Sequence, residues 1–275
     1  MGGKSLIRCE GHPFEGAEII HEDSNAERGS RIMVTTEQSI IGKGLYRVDQ
    51  AARIIRVSLS GKDKLPPAST VYNWVRGRPS AYAGQRQRYA PIIQDDFPDD
   101  PHISFVNFVE LWFIAFFRSE GVSAQVIRRA AEEAARLLGP HPFAVQRFST
   151  DGQGIFADLR AREIRVPGVP KEDVMEQLEK GQIVMAHIVR PYLREISWGV
   201  DLAEAFWPCT PDVDIVMDPK RCFGQPIVGA DTIPTRTLYR RFRAGDTIDQ
   251  LAESYRTSLQ AVQAAVDFER RLETA

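Results

Sequence analysis

The chain has 275 residues, 43% of them hydrophobic and 26% charged, with a formal net charge of −2. This is ordinary globular composition with room for two or three domains, which argues against a single core. Cys9, Cys209 and Cys222 are too few and too scattered for a disulfide framework, so a reduced cytoplasmic setting is expected.

Residues 1 to 32 lack the apolar block of a signal peptide and are rich in Gly, Glu, His and Ser. Residues 1–38 are therefore expected to be a disordered leader, either a tag or an upstream extension, with Met33 as a natural start and the fold beginning near Ser39. Cys9 and His12 are spaced like half a zinc site, but His21, His102, His141 and His187 provide no second close pair. Neither a metal nor a cofactor is expected.

Val48, Ala51, Ala52 and Ile55 fall at i, i+3, i+4 and i+7 and predict an amphipathic helix within Tyr46–Ser58. After the interruption Leu59–Ala68, which contains Pro66-Pro67, the segment Ser69–Arg76 buries Val71, Trp74 and Val75. It leaves Thr70, Tyr72, Asn73 and Arg76 facing outward. A buried stripe fixes such a helix on its domain while exposed hydrogen-bonding side chains read base edges, so the pair reads as a helix-turn-helix. Between Lys43 and Ala90 there are ten Lys and Arg residues against Asp49 and Asp63, a local charge of about +8 in a chain of net −2. Concentrated positive charge is what phosphate contact requires. Ala81–Ala90, with its Arg, Gln and Tyr, suits a β-wing on the sugar-phosphate backbone, the alternative being a solvated basic loop. Residues 39–100 are thus expected to form a winged helix-turn-helix that binds double-stranded DNA through Ser69, Thr70, Tyr72, Asn73, Arg76, Arg78, Arg86, Gln87 and Arg88. Asn73 or Arg76 is expected to contact a base, and Arg78, Arg86 and Arg88 to hold phosphates.

The acidic, proline-bearing stretch Asp95–Pro101 marks a domain boundary. The apolar run Phe105–Phe117 is too short for a membrane span and contains Asn107 and Glu110, so it is a core helix, ending at Gly121. Ser123 caps the next helix, whose buried stripe is Val126, Ile127, Ala130, Ala134, Leu137 and Leu138 and which Gly139-Pro140 stops. Alternation within Phe143–Leu159 around Asp151-Gly152 predicts a β-hairpin. Residues 160 to 208 carry a helix over Lys171–Lys180 and an apolar segment Ile183–Val189, with no function legible in them. Residues 101–208 are accordingly an α/β middle region.

Pro208, Pro211 and Asp212 make a second linker. Short strands at Ile215–Met217 and within Gly224–Gly229 follow, the latter lacking the Lys-Ser/Thr terminus of a phosphate loop. Three helices complete residues 212–275: Thr235 caps the first, which ends at Gly245, Thr247 caps the second and Ser258 the third. The overall class is mainly α with small β elements (α+β), the C-terminal part being a short β-hairpin plus a three-helix, homeodomain-like module.

The pattern Asp218-Pro219, Gly224, Pro226, Gly229, Ile233-Pro234, Gly245, Ile248, Leu251-Ala252, Tyr255 and Val262 resembles domain-of-unknown-function family 433. Gly121–Ala130 and His141-Pro-Phe143 resemble the longer VapB-like antitoxins that carry a DNA-binding domain ahead of that module, and the likeness covers most of Tyr46–Phe268. The resemblance implies an antitoxin of a type II toxin-antitoxin pair that binds a PIN-domain ribonuclease toxin and represses its own operon. Relatives pass directly from the Val-Ser turn to the recognition helix, whereas Leu59–Ala68 intervenes here.

Three functional classes follow. The first is a non-enzymatic antitoxin, a homodimer reading two half-sites of its own operator, with the toxin as its second partner and no membrane. The alternative is a protein-only interaction module that grips a toxin or a copy of itself through Phe206, Trp207 and Phe242, unless these lie in the chain's own core. A nuclease using Asp95, Asp96, Asp212 or Asp214 is disfavoured, because no nucleophile, base and stabilising group assemble in the sequence.

Overall fold

The structure is a computed structural model that describes residues 42–62, 64–82, 85–98, 100–166, 169–183, 185 and 193–275, with backbone alone for 79–82, 85–88 and 150. The leader, with Cys9, His12 and Met33, and most of the apolar segment Ile183–Val189 lie outside the described residues. The fold is mainly α with small antiparallel sheets.

A two-residue strand β1 (Tyr46–Arg47) runs straight into α1 (Val48–Ser58), whose Val48, Ala51, Ala52, Ile54, Ile55 and Val57 are buried. Asp49 in its first turn and Arg56 in its last complement the helix dipole. The connection to α2 (Ala68–Arg76) is anchored: Leu59 is buried, and the Lys62 ammonium lies 2.5 Å from Glu120 and 5.1 Å above the Phe116 ring. Pro67 sets the entry to α2, and Gly77, at φ +71°, ends it. A side chain at Gly77 would strike the Tyr89 carbonyl, so glycine is what lets the hairpin β2 (Arg78–Tyr82) and β3 (Gln85–Tyr89) fold back against the helix. The Ile92 amide then bonds to the Trp74 carbonyl at 2.7 Å, returning the chain to α2.

The acidic stretch is stitched to both of its neighbours. Strand β4 (His102–Ile103) pairs with β1, Tyr46 opposite Ile103, so the chain on either side of Asp95–Pro101 meets in one ladder. Helix α3 (Phe105–Ser119), N-capped by Ser104, is buried from Phe105 to Phe117 apart from Val106, as a helix apolar on every face must be. Its aromatic rings carry the packing outward: Trp112 lies 5.7 Å from Phe206, Phe113 5.6 Å from Phe148 and Phe117 5.3 Å from Phe156. The Trp112 indole donates to Ser58 at 3.1 Å, tying α3 to α1. One hydrophobic cluster therefore runs from Tyr46 to Met217.

Helix α4 (Ala124–Leu138) follows, capped by Ser123 as expected. The expected β-hairpin at Phe143–Leu159 is absent. A 3-10 turn, Pro142–Ala144, leads into helix α5 (Gln146–Ala161), with Asp151-Gly152 in its interior. Phe148, Ile155, Phe156 and Leu159 fall on one helical face and are buried. A Cβ at Gly152 would lie 2.6 Å from Met185 and 3.1 Å from Phe148, so the glycine permits close packing, which outweighs its poor helix propensity. Helix α6 (Lys171–Ile183) packs along α5. A hairpin with no counterpart in the sequence reading, β5 (Ile196–Trp198) and β6 (Ala203–Phe206), closes this part.

Phe206 also bridges to Met217, linking β6 to the C-terminal sheet. That sheet comprises β7 (Ile215–Val216), β8 (Ile227–Val228) and β9 (Ile233–Pro234) in sequential antiparallel order. Helices α7 (Thr235–Arg243), α8 (Ile248–Tyr255) and α9 (Leu259–Thr274) enclose a separate core of Val228, Leu238, Tyr239, Leu251, Ala252, Val262, Ala265 and Val266. Thr247 and Gln250 form a reciprocal capping box, and Ser258 caps α9. Thr235 does not cap α7. It is the first helical residue, buried, with its hydroxyl on the Glu269 carboxylate of α9.

Phe268 and Tyr46 help join this module to α1 and β1. Phe268 of α9 packs with Val57 and Ile215, and the Tyr46 hydroxyl donates to the Gly224 carbonyl at 2.6 Å in a buried setting. Burial and the nearby Asp218 push the Tyr46 phenol well above its ordinary range, so it stays a donor. Tyr46→Phe is expected to leave the Gly224 carbonyl unsatisfied and lower stability by about 1–2 kcal/mol, read as a reduced urea midpoint at unchanged slope. An unchanged midpoint would remove this bond from the junction.

Candidate nucleic-acid interface

Helix α2 presents its outward residues unequally. Ser69 and Tyr72 are exposed, Tyr72 by 51%, and Thr70 and Asn73 are half-buried at the edge of a cleft. No acidic side chain occupies the first turn of α2 and no side chain caps it, so the positive end of the helix is open beside Ser69.

Arg76 was expected to face outward with them, and it does not. Its guanidinium bonds the Asp95 carboxylate and the carbonyls of Phe97 (2.9 Å), Asp100 and His102 (3.1 Å), and its side chain is only 12% exposed. The helical wheel placed Arg76 on the polar face correctly, but the acidic stretch folds over that end of the helix. An Arg beside a buried carboxylate and several free carbonyls satisfies all of them at once.

Arg78 begins β2, exposed, with its guanidinium 4.8 Å from the centre of the Tyr89 ring across the hairpin. Such stacking holds the cation in one orientation without consuming its charge. Arg86, Gln87 and Arg88 lie on β3, paired with Ala81, Ser80 and Pro79; their side chains lie outside the described residues.

The cleft beside α2, about 300 Å³, is completed by residues the sequence reading passed over. Gln125 and Arg128 come from the first turns of α4 and Arg118 from the end of α3, facing Thr70, Asn73 and Arg78. Arg118 donates to the Val122 carbonyl at 2.8 Å and Arg128 to the Ala90 carbonyl at 3.1 Å. Burial lowers the pKa of both, and Arg128 Nε has no hydrogen-bond partner among the described residues. By helical periodicity Arg128 lies off the buried stripe of α4. Only the proximity of α4 to α2, a tertiary fact, puts it beside the candidate reading helix.

The aspartates considered for a nuclease do not converge. Asp95 is held by Arg76, Asp96 by His141, and Asp214 accepts from the Ala230 amide at 3.1 Å. Among the described residues no group of three or more His, Cys, Asp or Glu side chains is placed to hold a metal ion. Phe206, a candidate partner anchor, is fully buried against Phe108 and Trp112. Trp207 and Phe242 are half-buried, Phe242 packing on the C-terminal core beneath Arg270. Among the described residues no helix is long and apolar enough to cross a membrane.

Residues 215–268 match the family described as "Protein of unknown function (DUF433)". The chain is 29% identical over 232 residues to the curated Mycobacterium tuberculosis protein "Putative antitoxin VapB45", covering 81% of this chain and 92% of that one. It is 26% identical over 219 residues to "Uncharacterized protein Rv2308" of the same organism, covering 76% and 87%. The crystal structure of Rv2018 from Mycobacterium tuberculosis superposes with a TM-score of 0.59 at 24% identity, over 82% of this chain and 99% of that chain, a likeness of fold.

Proposed function

We propose that this VapB-like chain, which ends in a DUF433 module, is a non-enzymatic antitoxin that binds DNA and a toxin. Residues 39–100 form the winged helix-turn-helix that reads the operator, residues 101–208 hold it, and residues 212–275 are the DUF433 module. The toxin is a PIN-domain ribonuclease, and a homodimer represses the operon by placing two copies of α2 one helical turn apart. The single observation that carries the DNA reading is the juxtaposition of Thr70 and Asn73 with Arg78, Arg118 and Arg128 around one cleft, beside the open N-terminus of α2. The antitoxin reading rests on the relative named as one.

In this arrangement Thr70, Tyr72 and Asn73 face the bases, while Ser69 and Arg78 bind backbone phosphates together with Arg86 and Arg88. Base contacts and phosphate contacts leave different signatures. Asn73→Ala is expected to relax preference at one base pair by about 1–3 kcal/mol. Arg78→Ala is expected to weaken all sequences alike and reduce the slope of log K against log salt by about 0.9. Gel shifts on the chain's own upstream DNA, with specific and random competitors over a salt series, measure both. If no competition-resistant band forms at low salt, yet the neighbouring gene product co-purifies, the chain is a protein-only interaction module instead.

A further inference from the structure

A concavity of the described residues lies away from the α2 cleft, where α1 meets α7 and α9. It measures about 650 Å³, within the range of small-molecule sites. Arg47 at the end of β1 and Arg53 of α1 form one wall, and Arg236, Arg240 and Arg243 of α7, spaced i, i+4 and i+7, form the other.

These five cations are unevenly compensated. Asp49 accepts from Arg47 at 2.9 Å and from Arg53 at 3.2 Å, and Glu273 lies 3.3 Å from Arg243. Arg236 and Arg240 have no hydrogen bond or ion pair to their side chains among the described residues, although like charges at i, i+4 repel. Glu269 is the remaining acid; its carboxylate accepts the Thr235 hydroxyl, and burial raises its pKa while the charge of Arg236 opposes that rise. The first turn of α7 carries no acidic side chain and no side-chain cap, which places Arg236 at the positive end of its own helix dipole.

We propose that this pocket binds a phosphomonoester ligand of nucleotide size, its phosphate held between the guanidinium groups of Arg236 and Arg240 with Arg53 opposite. Two guanidinium forks without a hydrogen-bonded partner among the described residues match a dianion, and a phosphomonoester carries close to two charges at neutral pH with three oxygens to accept paired N–H donors. A duplex backbone fits less well: it carries one charge per phosphate, and its rod shape would bring further phosphates against Asp49 and Glu273. The pocket volume also exceeds what a bare phosphate fills. Because α1 supplies one wall and the DUF433 module the other, a bound ligand fastens the two together. The inference is independent of the DNA and toxin reading.

The test is isothermal titration of the full chain in phosphate-free buffer with AMP, adenosine and inorganic sulfate, repeated on Arg236→Ala/Arg240→Ala and Arg236→Gln/Arg240→Gln. We expect saturable AMP binding, none with adenosine, and at least about tenfold weaker binding in both variants, as loss of charge-assisted hydrogen bonds predicts. Both variants should melt at or above the wild-type temperature without ligand, since they remove a repulsion, so a folding defect is distinguishable. Equal and weak binding of AMP and sulfate that survives the double substitution would overturn the proposal, leaving unspecific anion binding. Absence of AMP binding also overturns it; if the variants then show a shallower salt dependence on DNA, the pocket is a backbone contact instead.

Discussion

His141→Gln is expected to lower stability by about 3 kcal/mol near neutral pH, the scale for removing one partner of a buried ion pair. The imidazole sits between two carboxylates, with Nε2 3.1 Å from Asp96 and Nδ1 3.1 Å from Glu110. Its side chain is 13% exposed and that of Glu110 only 1%, so water does little to screen either. Burial alone would lower the His141 pKa, but the hydrogen bonds and charges of Asp96 and Glu110 outweigh it and lift the value from 6.5 to about 10. Burial pushes the Glu110 carboxyl up, while the imidazolium opposes that rise. Asn107 completes the cluster, donating to the Gln94 carbonyl at 2.7 Å and accepting from the Asp96 amide at 3.0 Å. The acidic stretch is thereby clamped to α3 and to the turn before α5. A folded-state pKa raised above the unfolded one contributes stability that is complete below 6.5 and is lost as pH rises through about 10. Urea midpoints of wild type and His141→Gln should therefore differ most at and below 6.5 and converge toward about 10. A gap that stays constant across that window would mean the folded imidazole is neutral.

Arg76→Met is the second large effect, again about 3 kcal/mol or more, because it strands the Asp95 carboxylate, 10% exposed, without its cation. Desolvation raises the Asp95 pKa even with Arg76 in place, so the carboxyl depends on that partner and on the Phe97 amide. Adding Asp95→Asn to Arg76→Met should recover part of the loss, since the unpaired charge is removed. Arg76→Met should leave the base preference of any bound DNA unchanged, in contrast to Asn73→Ala. If Arg76→Met melts like wild type but changes preference at one base pair, Arg76 reads DNA and the inward ion pair is dispensable.

Both predictions turn on residues whose roles were hidden in the linear pattern. Asp95 and Asp96 looked like a boundary because acidic, proline-bearing stretches seldom pair locally. Their partners are 19 and 45 residues away in sequence, at Arg76 and His141. Glu110 stood out only as a charge interrupting an apolar run. The C-terminal pattern was more legible, since its glycines, prolines and caps act within a few residues of themselves and coincide with the DUF433 match.

Features governed by local geometry were readable in advance. The apolar stripes of α1, α2 and α4 follow from side chains three and four residues apart sharing a face, although Leu137, expected in the α4 stripe, is exposed in the last turn, and the caps Ser123, Thr247 and Ser258 follow from a hydroxyl reaching its own helix amides. The positive charge gathered over Lys43–Ala90 was likewise a property of the chain. Tertiary structure decided the rest. It made Gln146–Ala161 a helix, because Phe148, Ile155 and Phe156 bury against α3, α4 and α6 where a hairpin would have split them between two faces. It also turned Arg76 inward, brought Arg128 to the α2 cleft and set α7 against α1 to build the arginine pocket. Periodicity reports which side of a helix a residue occupies, but what lies against that side depends on contacts far away in the chain.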